Sequence, residues 1–166
     1  MRRFSHSAAA AVALGVAALG AAATAPASAD PPISPVDTTP ITFEAGIACS
    51  FPVVVTFSGQ QGAVDLSGHG RFDIISLSPG FTVTLTNADT GASATYNATG
   101  SFHETVNADG TTTVFGSGHN VLFFPELGLT AVQTTGPVTF KVSAADTVVS
   151  YDLSGAQVTD ICAAIS

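Results

Sequence analysis

Two short turns rich in Asn and Asp and ending in glycine, at 87–91 and 107–110, constrain the fold of this chain most. Each turn lies between runs in which apolar and polar residues alternate, the pattern of a β-strand with one buried face. Asn, Asp and Gly tolerate the positive φ of tight turns, so each turn predicts a β-hairpin. The region 81–124 is therefore predicted to form three antiparallel strands.

Loop length predicts the register of the first hairpin. If 88–91 forms the loop, Leu85 lies opposite Ala94 and Val83 lies opposite Tyr96. Apolar side chains then share one face, and threonines share the other. A slip of one residue would exchange the two faces, so the pattern supports this register.

The same reasoning applies to the second hairpin. If 107–110 forms the loop, Phe102 lies opposite Phe115 and Tyr96 lies opposite Val121. The apolar face would then continue across all three strands, and this agreement between two loops favours the register.

The rest of the chain reads as further strands with short connections. No window after the N-terminal segment has a helical period, so the predicted class is all-β, an antiparallel meander of eight or nine strands. One strand is expected over 63–75, with Ile74 opposite Phe81. The other strands are predicted at 51–58, 130–134, 138–142, 147–153 and 156–162.

Two cysteines, Cys49 and Cys162, lie at the start and end of this meander and are predicted to form a disulfide. A disulfide requires α-carbons within about 7 Å. The first and last strands must then meet, which favours a closed barrel, with a two-sheet sandwich as the alternative.

The N-terminus has the features of a secretory signal peptide. Arg2 and Arg3 precede an Ala-rich apolar run, and Ala27-Ser28-Ala29 forms a small-residue cleavage site. The predicted domains are a signal peptide at 1–29, a Pro-rich extended leader at 30–45 and a single β-domain at 46–166. The mature protein is expected to be secreted and extracellular, without a membrane span.

Charge excludes some classes of partner. Cleavage would leave 2 of the 4 basic residues, Arg71 and Lys141, and all 12 acidic residues, a net charge of −10. Nucleic acids and anionic membrane surfaces are bound by clustered Lys and Arg, so neither is an expected partner. A soluble acidic monomer is expected.

No metal site or cofactor is predicted. The strand pattern assigns His69 and His103 to the threonine-rich face and His119 to the apolar face. Zinc ligands must converge on one point, which residues on opposite faces cannot do. Trp is absent, so aromatic platforms of the kind that often bind sugars are poorly supplied.

One group of residues on the predicted inner face could serve as a site, namely His119, Glu104, Tyr96 and Tyr151. These lie among large apolar residues and small ones, and an apolar cavity with a few polar groups is the usual form of a small-molecule site. Alternatively, the interior is a filled core, as in most small barrels.

In its motifs the chain resembles small exported β-proteins of actinobacteria that have no assigned function. The resemblance rests on the Ala-rich signal and the segments 46–49, 100–105, 118–123 and 161–162. It implies no activity, substrate or catalytic residue. A looser likeness to lipocalin-type and allene oxide cyclase-type barrels is one of architecture, which does not establish function.

Three functions remain open from the sequence. The first is a non-enzymatic secreted protein that binds a small apolar ligand or a cell-surface partner. The second is a small isomerase or cyclase-like enzyme with an acid/base pair inside the barrel, using His119 or Glu104. The third is a structural envelope protein whose threonine-rich face makes contacts.

Overall fold

The computed structural model describes residues 33–68 and 72–166, and this part of the chain is all-β, as predicted. It contains fourteen strands rather than the eight or nine predicted, because bends divide several of the predicted strands in two and the Pro-rich segment adds two more. It also contains a 3₁₀ helix at Pro125–Leu127 and one short helix, α1, at Ile161–Ala164. The strands are β1 (Ser34–Pro35), β2 (Ile41–Phe43), β3 (Val53–Ser58), β4 (Gln60–Asp65), β5 (Ile74–Leu77), β6 (Thr82–Asn87), β7 (Ser93–Asn97), β8 (Ser101–Val106), β9 (Thr112–Ser117), β10 (His119–Phe124), β11 (Leu129–Thr135), β12 (Val138–Val142), β13 (Val148–Asp152) and β14 (Gln157–Asp160).

These strands form three antiparallel sheets. The large sheet has the order β1-β4-β5-β8-β9-β12-β13, the four-stranded sheet β2-β3-β6-β7, and the central sheet β10-β11-β14. None of the three closes on itself within the described residues, so the prediction of a closed barrel is corrected. The arrangement fits the sandwich alternative, in which strands pass between packed sheets at bends.

Two apolar cores lie on opposite faces of the central sheet. Side chains of β10 alternate between them, because successive residues of a strand point to opposite faces. The first core, against the four-stranded sheet, includes Phe43, Val53, Val55, Phe57, Phe81, Val83, Leu85, Val121, Phe123 and Ile161. The second core, against the large sheet, includes Phe102, Val114, Leu122, Phe124, Val132, Val138, Phe140 and Val148. The central sheet is therefore the middle of three layers.

Bends at glycines carry the chain from one sheet to the next. Gly59, between β3 and β4, has φ +105°, a conformation that favours glycine. At Gly100, between β7 and β8, a Cβ would lie 2.6 Å from the carbonyl oxygen of Ser117 and 2.7 Å from that of His119. Glycine is thus needed where these backbones approach each other.

The strand predicted over 63–75 is instead a hairpin of β4 and β5. The N–H of Leu66 donates to the carbonyl of Asp73 (2.7 Å), and Gly68 has φ +79°, so the chain reverses between these two strands. Ile74 consequently pairs with Glu104 of β8 rather than with Phe81. His69, which the strand pattern assigned to the threonine-rich face, lies outside the described residues.

The register of the first predicted hairpin is confirmed. That of the second is wrong by one residue, and its other predicted pair, Tyr96 and Val121, lies in two different sheets because the chain bends at Gly100. Leu85 pairs with Ala94 across β6 and β7, whereas Phe102 of β8 pairs with Gly116 of β9. Phe115 pairs with His103 and is 39% exposed, so it lies on the outer face of the large sheet.

A disulfide joins Cys49 to Cys162, as predicted, with the α-carbons 5.6 Å apart. The last strand ends at Asp160, two residues before the cysteine, because Asp160 caps α1 by accepting a hydrogen bond from the N–H of Ala163 (3.1 Å). Cys162 therefore lies in α1 rather than in a strand, and α1 packs beside the first core through Ile161.

The described part of the Pro-rich segment, from residue 33, contributes an edge strand to two sheets. Ser34–Pro35 pairs with β4, Ile41–Phe43 pairs with β3, and Phe43 is buried in the first core. The signal-peptide prediction falls on residues 1–29, outside the described residues. Neither helix of the described part is long and apolar enough to cross a membrane.

Candidate functional site

The structure does not bring the predicted interior acid and base together. Glu104 is buried (6% exposed) on the face of the large sheet that carries Phe102 and Val114, which belong to the second core. His119 begins β10 and has the parity of Val121, which faces the first core. The two side chains thus lie on opposite sides of the central sheet.

Burial makes the Glu104 carboxyl a weaker acid than an ordinary glutamic acid. Desolvation raises its pKa above the ordinary value of a glutamic acid, because the charged form loses hydration. His119 is partly exposed, and its Nδ1 lies 3.1 Å from the Thr135 hydroxyl on the neighbouring strand. Neither group has a catalytic partner among the residues described.

The two tyrosines are also apart from each other. Tyr96, on β7, packs against the first core, and burial together with the nearby carboxylate of Asp160 raises its pKa. Tyr151, on the edge strand β13, is 38% exposed, and its ring lies 5.7 Å from that of Phe124. Within the described part of the chain, no hydrogen bond or ring contact joins any two of the four predicted residues.

The void described between the two cores is small. A void of about 10 Å³ lies between the two cores, lined by Phe81, Val83, Ala98, Phe102, Asn120 and Val121. Small-molecule sites usually occupy about 300–1,000 Å³, so this void is too small for a ligand. It has room for about one water molecule.

A larger space lies on the outer face of the large sheet. This outer groove has a volume of about 500 Å³, within the range of small-molecule sites. Its lining comes from β8, β9, β12 and the ends of two neighbouring turns, namely Phe72, His103, Thr105, Asn107, Thr113, Phe115 and Thr139.

Three rings line one part of the outer groove. The His103 imidazole lies between two phenyl rings, with centroid distances of 4.7 Å to Phe72 and 6.3 Å to Phe115. Its Nε2 is 3.4 Å from the Ser101 hydroxyl, and its Nδ1 is buried without a hydrogen-bond partner among the described residues. Within the described residues, ring contacts and one long hydrogen bond thus hold the imidazole in the wall of the groove.

Hydroxyl groups line the remainder of the outer groove. Asn107 donates through Nδ2 to the Oγ1 of Thr111 and of Thr113, at 2.9 Å each. The Thr113 hydroxyl keeps its own hydrogen for donation, because it accepts this bond. Thr105 and Thr139 make no side-chain hydrogen bond within the described residues, so their hydroxyls are available to a ligand.

No charged side chain lines the outer groove as described. Lys141 lies just beyond it, paired with Thr113, and its charge helps to lower the pKa of Asp109. Asp73 is also near, but its Oδ2 accepts a hydrogen bond from the N–H of Val106 (2.7 Å). The described residues contain no cluster of three or more His, Cys, Asp and Glu that could hold a metal ion.

Sequence reasoning placed His103 on the correct face but missed the outer groove. The groove needs Phe115 on the outer face, and the register predicted for the second hairpin turned Phe115 inwards. The sequence did contain a signal, because Thr113, Phe115 and Ser117 alternate with Val114 and Gly116 along the strand. A glycine can lie on either face, so this alternation allows Phe115 to lie on the outer face with the polar residues.

Comparisons of the chain with protein-family models, with curated proteins and with solved structures found no match. The resemblance to exported actinobacterial proteins therefore stays a prediction, and the site must be interpreted from its own chemistry.

Proposed function

We propose that this protein is a secreted, non-catalytic binding protein, and that a small ligand with an apolar ring face docks in the outer groove. The observation that carries the proposal is the adjacent pair of Phe115 and His103, which lines an open space of about 500 Å³. An aromatic side chain that is 39% exposed beside such a space gains burial when a ligand covers it.

Binding is favoured over catalysis by the composition of the outer groove. His103 is the one titratable residue of its described lining, and the nearby Asp73 carboxylate is engaged by the backbone of Val106. An isomerase or cyclase that takes a proton with one group and returns it with another would need a second such group within reach of the ligand. The isomerase or cyclase alternative required an interior pair, and the positions of Glu104 and His119 give it no support.

Export is part of the proposal and rests on the signal-peptide features of residues 1–29. The disulfide between Cys49 and Cys162 is compatible with an oxidising compartment outside the cytoplasm.

A fragment titration followed by NMR tests the proposed function. The folded protein, with its phenylalanine and histidine side chains labelled, is titrated with small ring compounds. We expect resonances of His103 and Phe115 to shift together, with weaker binding in Phe115→Ala and no change in Val149→Ala, an exposed control on β13. Failure of every ring compound to shift these resonances would overturn the proposal.

A further inference from the structure

The lining of the outer groove narrows the chemical class of its ligand. Besides its two phenyl rings, it offers hydroxyls, an amide and an imidazole as hydrogen-bonding groups. Such a surface satisfies a ligand that carries many hydroxyl groups, whereas a purely apolar ligand would leave these polar groups unpaired and cost free energy.

Charge points to an uncharged ligand. The described part of the chain has one Lys or Arg, Lys141, against many carboxylates, and Lys141 lies near Asp109. An anionic ligand would meet the repulsion of the acidic protein and find no basic residue in the described lining. A cationic ligand would find no carboxylate there either.

The arrangement of rings and hydroxyls matches a ligand with one apolar and one polar aspect. Phe115 and His103 lie side by side on β9 and β8, and Thr139 lies opposite Phe115 on the next strand, β12. Thr105 and Thr113 form the neighbouring cross-strand pair. A row of rings is thus bordered by hydroxyls on the same face of the sheet.

We propose that the outer groove binds a neutral saccharide. The C–H face of a sugar ring would lie on Phe115 and His103, since C–H hydrogens carry partial positive charge and the aromatic face is negative. Sugar hydroxyls would exchange hydrogen bonds with Thr105, Thr113 and Thr139. Phe115 and His103 would thus form the aromatic platform for a sugar, although the absence of Trp made such a platform unexpected. This inference rests on the proposed function and names its ligand class.

Titration with defined probes tests the inference. The probes are maltotriose and cellotriose as neutral saccharides, glucuronic acid as an anionic sugar and cyclohexanol as an apolar ring, each followed through the NMR resonances of His103 and Phe115. We expect at least one neutral trisaccharide to bind, about tenfold more weakly to Phe115→Ala. Thr139→Val should weaken saccharide binding about fivefold while leaving cyclohexanol binding unchanged.

The outcomes separate the two proposals. Binding of cyclohexanol with no response to either trisaccharide would overturn the saccharide inference and leave the proposed function standing. Stronger binding of glucuronic acid than of neutral sugars would also overturn it. No response to any probe would overturn both. Thermal unfolding of Phe115→Ala and Thr139→Val, compared with the Val149→Ala control, identifies any loss of binding that comes from misfolding.

Discussion

His103 and Phe115 lie directly opposite each other on β8 and β9, with their ring centroids 6.3 Å apart on the outer face of the large sheet. The other face of the same two strands carries the pair of Glu104 and Val114, which is buried against the second core. One pair of strands therefore presents the candidate site on one side and the core on the other.

The position of Phe115 on the outer face of the sheet can be tested by comparing the loss of stability in Phe115→Ala with that in Phe140→Ala. Phe140, on the adjacent β12, is 1% exposed and belongs to the second core. We expect Phe140→Ala to lower the free energy of unfolding by about 3–5 kcal/mol, and Phe115→Ala by less than about 1 kcal/mol. Urea denaturation measures both. Equal losses would mean that Phe115 points into the core.

Burial of Glu104 predicts a pH-dependent stability difference. Its pKa is raised in the folded state, so folding is favoured when the carboxyl is protonated, and this contribution is lost as the pH rises through the folded pKa. We expect Glu104→Gln and the wild type to have similar stability below about pH 4, and the variant to be the more stable at about pH 8.

Urea denaturation of both proteins across this range gives the difference directly. Taking the difference removes the opposite effect of Asp109 and Asp152, whose lowered pKa values favour folding above the ordinary pKa of an aspartic acid. A difference that does not change with pH would contradict the prediction.

The disulfide should contribute a large part of the stability. Cys49 and Cys162 are 113 residues apart in sequence, and a loop of this size corresponds to about 4.7 kcal/mol of lost chain entropy in the unfolded state. We expect the double variant Cys49→Ala, Cys162→Ala to lose about 2–5 kcal/mol in the free energy of unfolding. Dithiothreitol should destabilise the wild type to a similar extent. A response of the double variant to dithiothreitol would show that the reductant acts elsewhere.

Gly100 should not tolerate a side chain. A Cβ there meets the carbonyl oxygens of Ser117 and His119 at 2.6 and 2.7 Å, and backbone atoms cannot move aside as a flexible side chain can. We expect Gly100→Ala to cost at least about 2 kcal/mol in the free energy of unfolding.

Gly128→Ala provides a matched control for this substitution. Gly128 has φ +74°, but a Cβ added there would have no atom within 4 Å, so its substitution should cost about 1 kcal/mol through backbone strain alone. Thermal and urea unfolding compare the two variants. A smaller loss for Gly100→Ala than for Gly128→Ala would contradict the close approach of the strands.

The first hairpin could be predicted from sequence because its loop length is unambiguous. The N–H of Asn87 donates to the carbonyl of Ala92 and closes the four-residue loop that the turn residues indicate. The second loop contains one residue fewer, since Asn107 bonds to Thr111 and Gly110 has φ +80°. Counting Asn107 as part of that loop shifted the register by one, and with a period of two this reversed the faces of β9.

The sheets and the candidate site depend on long-range packing that local patterns do not encode. Apolar and polar residues alternate in the same way in a strand that bends at Gly59 or Gly100 as in a straight strand. This alternation is therefore equally consistent with one continuous meander and with three separate sheets. β10 shows the effect of this packing, because the five residues after His119 are all buried. A strand with one solvated face cannot bury five successive residues.

This double burial of β10 has a consequence for how the molecule opens. Unfolding of either core would remove the packing from one side of β10 and expose Phe123 or Phe124 to water. Neither core can therefore open without weakening the other. The protein should consequently unfold in one cooperative step, and the backbone amides of β10 should be among the slowest to exchange with deuterated solvent.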